Sequence, residues 1–186
     1  MLSNSKLGFG LMRLPKDKQG NIQIDEVQRM VDSFMGKGFN YFDTAYAYAG
    51  SEEAIKETLV KKYPRDSFSL ADKLPAWKLK SQDDVQRIFT ESLQLCGVDY
   101  FDFYLLHSIE KSHYPTYEKY QCFDFVKEMK KQGKIKYIGF SFHDDAQFLD
   151  KVLTEHPEMD FVQLQLNYLD WENGVIQSRQ NYEVAR

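Results

Sequence analysis

Cysteine is scarce in this sequence: Cys96 and Cys122 are the only two among 186 residues. Two such residues build no disulfide framework, and neither has the spacing of a metal-binding motif, so a disulfide-stapled scaffold and a zinc-ribbon module are both excluded. Long apolar runs are missing too. None approaches the roughly 18 residues that a membrane span needs, and Met1 to Gly10 has neither the apolar stretch nor the small-residue cleavage site of a signal peptide. No membrane partner is therefore expected, and a cytoplasmic location follows by default. A basic excess is absent: 24 Lys and Arg against 28 Asp and Glu leave a net charge of −4. With no Lys/Arg stripe interleaved with exposed aromatics, nucleic acid is not an expected partner.

What is present is the composition of a globular domain, with 42% hydrophobic, 28% charged and 15% aromatic residues, the last on the high side. A chain of this length can bury a core of its own. Cys96 falls on the apolar face of a helix with Val85, Ile88, Phe89 and Leu93, where it reads as a packing residue.

Strand and helix signals alternate from one end to the other. Leu7 to Met12 reads as a short apolar strand whose glycines allow close backbone approach. Asp25 is placed to cap a helix in which Val27, Met30, Val31, Phe34 and Met35 recur at helical spacing, ended by Gly36 or Gly38. Tyr41-Phe42-Asp43 makes a second strand. Ser51 caps the next helix, with Glu52 and Glu53 at its positive end, Lys61 and Lys62 at its negative end and Pro64 as its stop.

Ser67 to Ala71 is a third strand, ending at Asp72-Lys73. A capping box of Ser81 and Asp84 opens a helix that Gly97 closes. Tyr100 to Leu106 is a strand ending at His107, and a helix follows from Phe123 to Gln132. Lys136 to Phe140 is a strand ending at Ser141. Asp144 caps a helix through Leu153, Pro157 breaks it, Asp160 to Leu166 is the sixth strand, and Gly174 to Ala185 reads as a last helix.

This alternation predicts βαβ units and a parallel sheet. Six strands at roughly 31 residues per unit match one-eighth portions of a (β/α)8 barrel of about 250 residues. The expectation is an α/β fold, a parallel (β/α) TIM-type barrel that is incomplete, with about six of eight βα units. Residues 1–186 then form a single partial barrel domain lacking the last two units. An open doubly wound sheet is the competing architecture, but it normally carries a Gly-rich turn directly after its first strand. Gly8-Phe9-Gly10 lies within that strand instead.

Chemistry in a barrel sits at the C-terminal ends of the strands. Asp43, Lys73, His107 and Ser141 each follow a strand, and Gln163, Gln165 and Asn167 alternate along the sixth. Each has an ordinary reading when taken alone. Among 12 tyrosines an Asp five residues before a Tyr, such as Asp43 and Tyr48, arises by chance; a Lys after a strand is commonly a solvated rim charge, and a lone His a structural one. An acid, a Tyr, a Lys and a His at three consecutive strand ends are much harder to dismiss.

A tyrosine with a pKa near 10 is a poor acid near neutrality. A lysine ammonium beside it stabilises the tyrosinate, and a carboxylate keeps that lysine charged and oriented. Asp43, Lys73 and Tyr48 supply that set, and His107 adds a neutral hydrogen-bonding partner for a substrate oxygen. Such a set protonates a carbonyl oxygen while hydride reaches the carbon, and only a cofactor supplies hydride.

With Phe42-Asp43-Thr44-Ala45, Tyr48, Gly50-Ser51-Glu52, Lys73, Leu105-Leu106-His107-Ser108, Gly133-Lys134-Ile135, Gly139-Phe140-Ser141 and Gln163 to Asn167, the chain resembles the aldo-keto reductase superfamily. The wording is similar to a bacterial subgroup that often adds a C-terminal ferredoxin-like iron–sulfur module, absent here. The resemblance implies an NADP(H)-dependent reductase of aldehyde and ketone carbonyls. By match, Tyr48 is the general acid, Asp43 and Lys73 its tuning pair, and His107 the group that orients the carbonyl. Ser141, Gln163, Asn167 and Met12 fall to the cofactor, and Trp77 to the substrate pocket.

Ser141-Phe142-His143 departs from the family's usual Ser-Asn. The strands that bear the nicotinamide-stacking aromatic and the basic residues for the adenosine 2′-phosphate have no counterpart before Arg186. The chain therefore reads as truncated, with self-association through open barrel edges expected. An inactive or regulatory binding protein on the same scaffold is the alternative. Two rival chemistries use some of the same residues: a metal-dependent hydrolase using His107 and His143, for which the first strand lacks a His-x-His pair, and a Schiff-base aldolase using Lys73. Neither accounts for Asp43 with Tyr48.

Overall fold

The structure, a computed structural model, describes residues 6–186; Met1 to Ser5, part of the stretch considered for a leader, lie outside the described residues. Six parallel strands form one sheet in chain order: β1 (Gly8–Gly10), β2 (Tyr41–Asp43), β3 (Ser69–Pro75), β4 (Phe101–Ile109), β5 (Ile135–Phe142) and β6 (Phe161–Leu164). Helices α1 (Ile24–Gly36), α2 (Ser51–Ile55), α3 (Asp83–Cys96), α4 (Tyr114–Lys119), α5 (Cys122–Lys131), α6 (Ala146–Glu155) and α7 (Ser178–Ala185) complete the set. The sheet is a curled half-barrel, the incomplete (β/α) barrel that the alternation predicted. Among the described residues no helix is long and apolar enough to cross a membrane.

Period-two alternation sorts the strand residues as expected. Phe42, Leu70, Leu74, Tyr104, Leu106, Ile138 and Phe140 face the helices and are fully buried. They meet Val27 and Val31 of α1, Ile55 of α2, Ile88 and Phe89 of α3, Val126 of α5 and Leu149 of α6 in one core. On the inner side, Phe103 lies at the centre of an aromatic floor, with ring centroids 5.3 Å from Tyr41, 5.2 Å from Tyr137 and 5.5 Å from Phe161. Gly139 is required at the last of these contacts, because a Cβ there would lie 2.4 Å from the carbonyl oxygen of Phe161.

Several boundaries move for identifiable reasons. α1 begins one residue before Asp25, which sits in its first turn rather than capping it. The N-terminus of α2 is set by Gly50 in the left-handed region (φ 78°), and Ser51 instead bonds Thr44 through its hydroxyl. Beyond Ile55 this helix runs on as a π turn, Lys56–Val60. At α3 the capping box works from the acid's side: Asp84 accepts the backbone N–H groups of Lys80 and Ser81. α6 is capped by Asp145, whose carboxylate accepts the N–H of Phe148; the neighbouring Asp144 accepts the N–H of Lys111. β6 stops at Leu164, and only Ser178–Ala185 of the expected last helix is helical. α4 was not anticipated.

The N-terminal end of the sheet is pinned by Asp102 on β4. Its carboxylate accepts the backbone N–H of Leu70 at 2.9 Å, the Arg65 guanidinium at 2.6 Å and the Lys136 ammonium at 2.8 Å. Three strands meet on one acid whose side chain is 8% exposed. Removing one partner from a buried, hydrogen-bonded pair typically costs 3–5 kcal/mol; because Lys136 and Arg65 retain access to water, Asp102→Ala should lose about 2–3 kcal/mol. Urea unfolding followed by circular dichroism measures this, and an unchanged midpoint would exclude the latch.

Candidate active site

Lys73 is the most confined cation of the described chain, at 2% exposed. Its position follows from register: Asp43 pairs with Ala71, so the residue two further along β3 points inward just beyond the end of β2. The ammonium donates to Asp43 Oδ1 and to the carbonyl oxygen of Thr44 at 2.7 Å. From the far side of the half-barrel, Gln163 on β6 donates to the other Asp43 oxygen at 3.3 Å. An acid, a cation and an amide from β2, β3 and β6 thus share one interior layer.

Tyr48 stands in the turn between β2 and α2, with its ring centroid 5.1 Å from the Lys73 ammonium. His107 meets that ring edge-on at 5.6 Å, and Trp77, in the turn after β3, lies 5.2 Å from His107. The four expected groups are together, with Trp77 beside them at the rim. Tyr46 points elsewhere: its hydroxyl donates to Glu91 of α3 at 2.8 Å.

The electrostatics differ from expectation in one respect. Lys73 was expected to bring the Tyr48 pKa down, yet it is pushed up to about 12 by burial, then by the charges of Asp43 and Asp72. The ammonium is directed at Asp43 and Thr44, leaving a ring contact rather than a bond to the phenol oxygen. Tyr48 is therefore a fully protonated donor at neutral pH. His107 is held down to about 3, by burial first, then by the Lys73 cation and by His143 and His113. It is a neutral imidazole at any physiological pH, and its Nδ1 is buried without a hydrogen-bond partner.

His107 owes its direction to an irregularity. The β4–β5 register shifts between Leu106 and Ile109, Ser108 takes a left-handed φ of 58°, and its N–H donates to Ser141 Oγ at 2.7 Å. Such bulges re-aim side chains at barrel rims. Behind it, α4 presents Tyr117, fully buried. Its oxygen accepts the N–H of Ala76 at 3.0 Å and shares its proton between the carbonyls of His107 at 2.6 Å and Leu74 at 2.8 Å.

Of the remaining expected residues, Ser141 is buried at the end of β5 and Gln163 lies in the interior layer. Met12 is 60% exposed, in the turn after β1. Asn167 is displaced: β6 ends three residues before it, and its carboxamide closes a turn, donating to and accepting from Asp170 at 2.7 and 2.8 Å. His107 and His143 belong to no metal-capable cluster among the described residues. The inner face opens into a cavity of about 560 Å³ lined by Gly8, Gly10, Tyr41, Asp43, Phe161 and Gln163, among others.

Sequence reasoning missed one further group. Asp72 faces the helices, fully buried, against Glu52 of α2 and Cys96 of α3; its carboxylate accepts the Lys73 N–H at 2.6 Å and lies 3.8 Å from the Cys96 sulfur. An acid alternating with Lys73 was the available signal, and the packing role given to Cys96 omitted its polar neighbour.

Comparison with known proteins addresses the family and the fold. The profile of the Aldo/keto reductase family matches residues 6–186. The chain is 30% identical over 146 residues to a probable aldo-keto reductase 1 of Glycine max, covering 74% of this chain and 41% of that one. It is 27% identical to the NADH-specific methylglyoxal reductase of Escherichia coli, covering 89% and 56%. The structure superposes on the holo form of aldo-keto reductase AKR11C1 from Bacillus halodurans with a TM-score of 0.67 at 25% identity, over 86% of this chain and 53% of that one. The chain spans about half the length of these curated relatives. With the family profile matched across the described residues, the chain belongs to the aldo/keto reductase family.

Proposed function

We propose that this chain carries the carbonyl-protonating site of an NADP(H)-dependent reductase of aldehydes and ketones, with Tyr48 as general acid. The observation that carries this reading is the convergence of the Lys73–Asp43 ion pair, the Tyr48 ring and the neutral His107 at one strand-end mouth. The neutral His107 imidazole, edge-on to the Tyr48 ring, is a hydrogen-bonding partner for a substrate oxygen at that mouth. Tyr48 gives its phenolic proton to that oxygen, while the Lys73 ammonium, held by Asp43 and Thr44, stays in contact with its ring.

A nicotinamide cofactor, when bound, supplies the hydride that no side chain can. Ser141 and Gln163 fit its carboxamide: one buried hydroxyl, still free to donate after accepting the Ser108 N–H, and one primary amide on β6 that donates to Asp43 at 3.3 Å. Met12 would line the rim there. The Escherichia coli relative is NADH-specific by name, so both reduced cofactors belong in the test.

Turnover of a panel of aldehydes and ketones is followed by consumption of reduced nicotinamide. Tyr48→Phe should lower kcat by about 10²–10⁴ while leaving cofactor quenching of Trp fluorescence nearly unchanged. Retained turnover in that variant rules out the acid role. Cofactor binding without turnover by the unaltered chain would favour the binding or regulatory reading.

The pH dependence is the second test. With His107 neutral above about 3 and Tyr48 protonated below about 12, neither group changes charge from about pH 5 to 9, so kcat/KM should show no bell from them there. By NMR, the His107 ring should keep neutral-imidazole shifts from pH 7 down to 5; a midpoint near 6.5 would contradict the buried, cation-flanked setting.

A further inference from the structure

We infer that Glu52, Asp72 and Cys96 form a binding site for one zinc-class divalent cation, sealed between α2, β3 and α3 on the face of β3 opposite the Tyr48 mouth. One carboxylate oxygen from each acid and the Cys96 sulfur lie within 4.8 Å of one another, and all three residues are buried. They come from three separate elements, so a bound ion would cross-link the helix before β3 and the helix after it to the strand that carries Lys73.

The surroundings are those of a site with unused ligand capacity. Glu52 is 3% exposed, yet its Oε1 has no hydrogen-bond partner. Ser92, fully buried, faces Glu52 from α3. Ser92 and Cys96 are four apart on α3, which places both on the face turned to Asp72. A carboxylate oxygen left unsatisfied in a dry polar cluster is costly, since buried polar groups are nearly always bonded. Lys73 cannot relieve it, because its ammonium is on the other side of the strand with Asp43.

The donor chemistry selects the ion. A thiolate with two carboxylates suits a borderline cation such as Zn²⁺ or Co²⁺, which accepts sulfur and oxygen together at four-coordinate sites. Ca²⁺ and Mg²⁺ prefer larger all-oxygen shells. The Ser92 hydroxyl, which faces Glu52, is a candidate for a fourth position. Because the ligands are closed off from solvent, the protein is loaded with the ion both after folding and during refolding.

The test is a Co²⁺ titration of the full chain after dialysis against a chelator. Expected is one equivalent of Co²⁺ with visible bands of four-coordinate geometry and a near-ultraviolet thiolate charge-transfer band, both displaced by Zn²⁺. Cys122→Ser leaves Cys96 as the sole thiol and should keep the charge-transfer band; Cys96→Ser should lose it, and Asp72→Asn should lose tight uptake. Zn²⁺ should raise the melting temperature of the unaltered chain and of Cys122→Ser. No uptake by either loading route, uptake without the charge-transfer band, or a band that disappears in Cys122→Ser would each overturn the inference. These readouts need no turnover, so they stand or fall apart from the reductase reading.

Discussion

The Lys73–Asp43 ion pair is the constraint to which the rest of the interior conforms. An ammonium that is 2% exposed persists only with close, well-aimed partners, since the cost of removing it from water is several kcal/mol. Those partners sit on the neighbouring strand end and the turn that follows it, so the β2–β3 register cannot slip by one residue without reversing Lys73 into the helix layer. Gln163 reaches the same carboxylate from β6, and this contact requires the sheet to curl. Ion pair, register and curvature are one arrangement viewed at three scales.

Much of this was legible in the sequence for a simple reason. The apolar runs Phe68 to Ala71 and Tyr104 to Leu106 mark β3 and β4 as strands, although both continue past the polar residues expected to end them, β3 to Pro75 and β4 to Ile109. Inward and outward faces then follow from period two. The convergence of Asp43, Lys73, Tyr48 and His107 could be anticipated because a barrel brings all strand ends to one mouth.

The remainder depends on contacts that no local pattern encodes. α4 is a six-residue helix with Pro115 in its first turn, too short to display a periodicity. The bulge at His107 and Ser108 arises from the β4–β5 pairing and the Ser141 hydroxyl, neither of which is visible in the run Leu105 to Ser108. Asp72 violates the apolar pattern of its own face because its neighbours Glu52 and Cys96 come from other elements. The Tyr48 pKa moved opposite to expectation because burial of the phenol, and after it the charges of Asp43 and Asp72, push it up while the Lys73 ammonium is turned toward Asp43.

Tyr117 joins two parts of the molecule that the chain keeps far apart. One phenol oxygen on an outer helix holds the backbone of the strand end bearing His107 and of the turn that leads into Trp77. The shape of the mouth is therefore governed partly from outside the barrel wall. Sequence drift in the segment from Tyr114 to Lys119 is a route by which such a scaffold can reshape that mouth while Tyr48 and the Lys73–Asp43 pair stay unaltered.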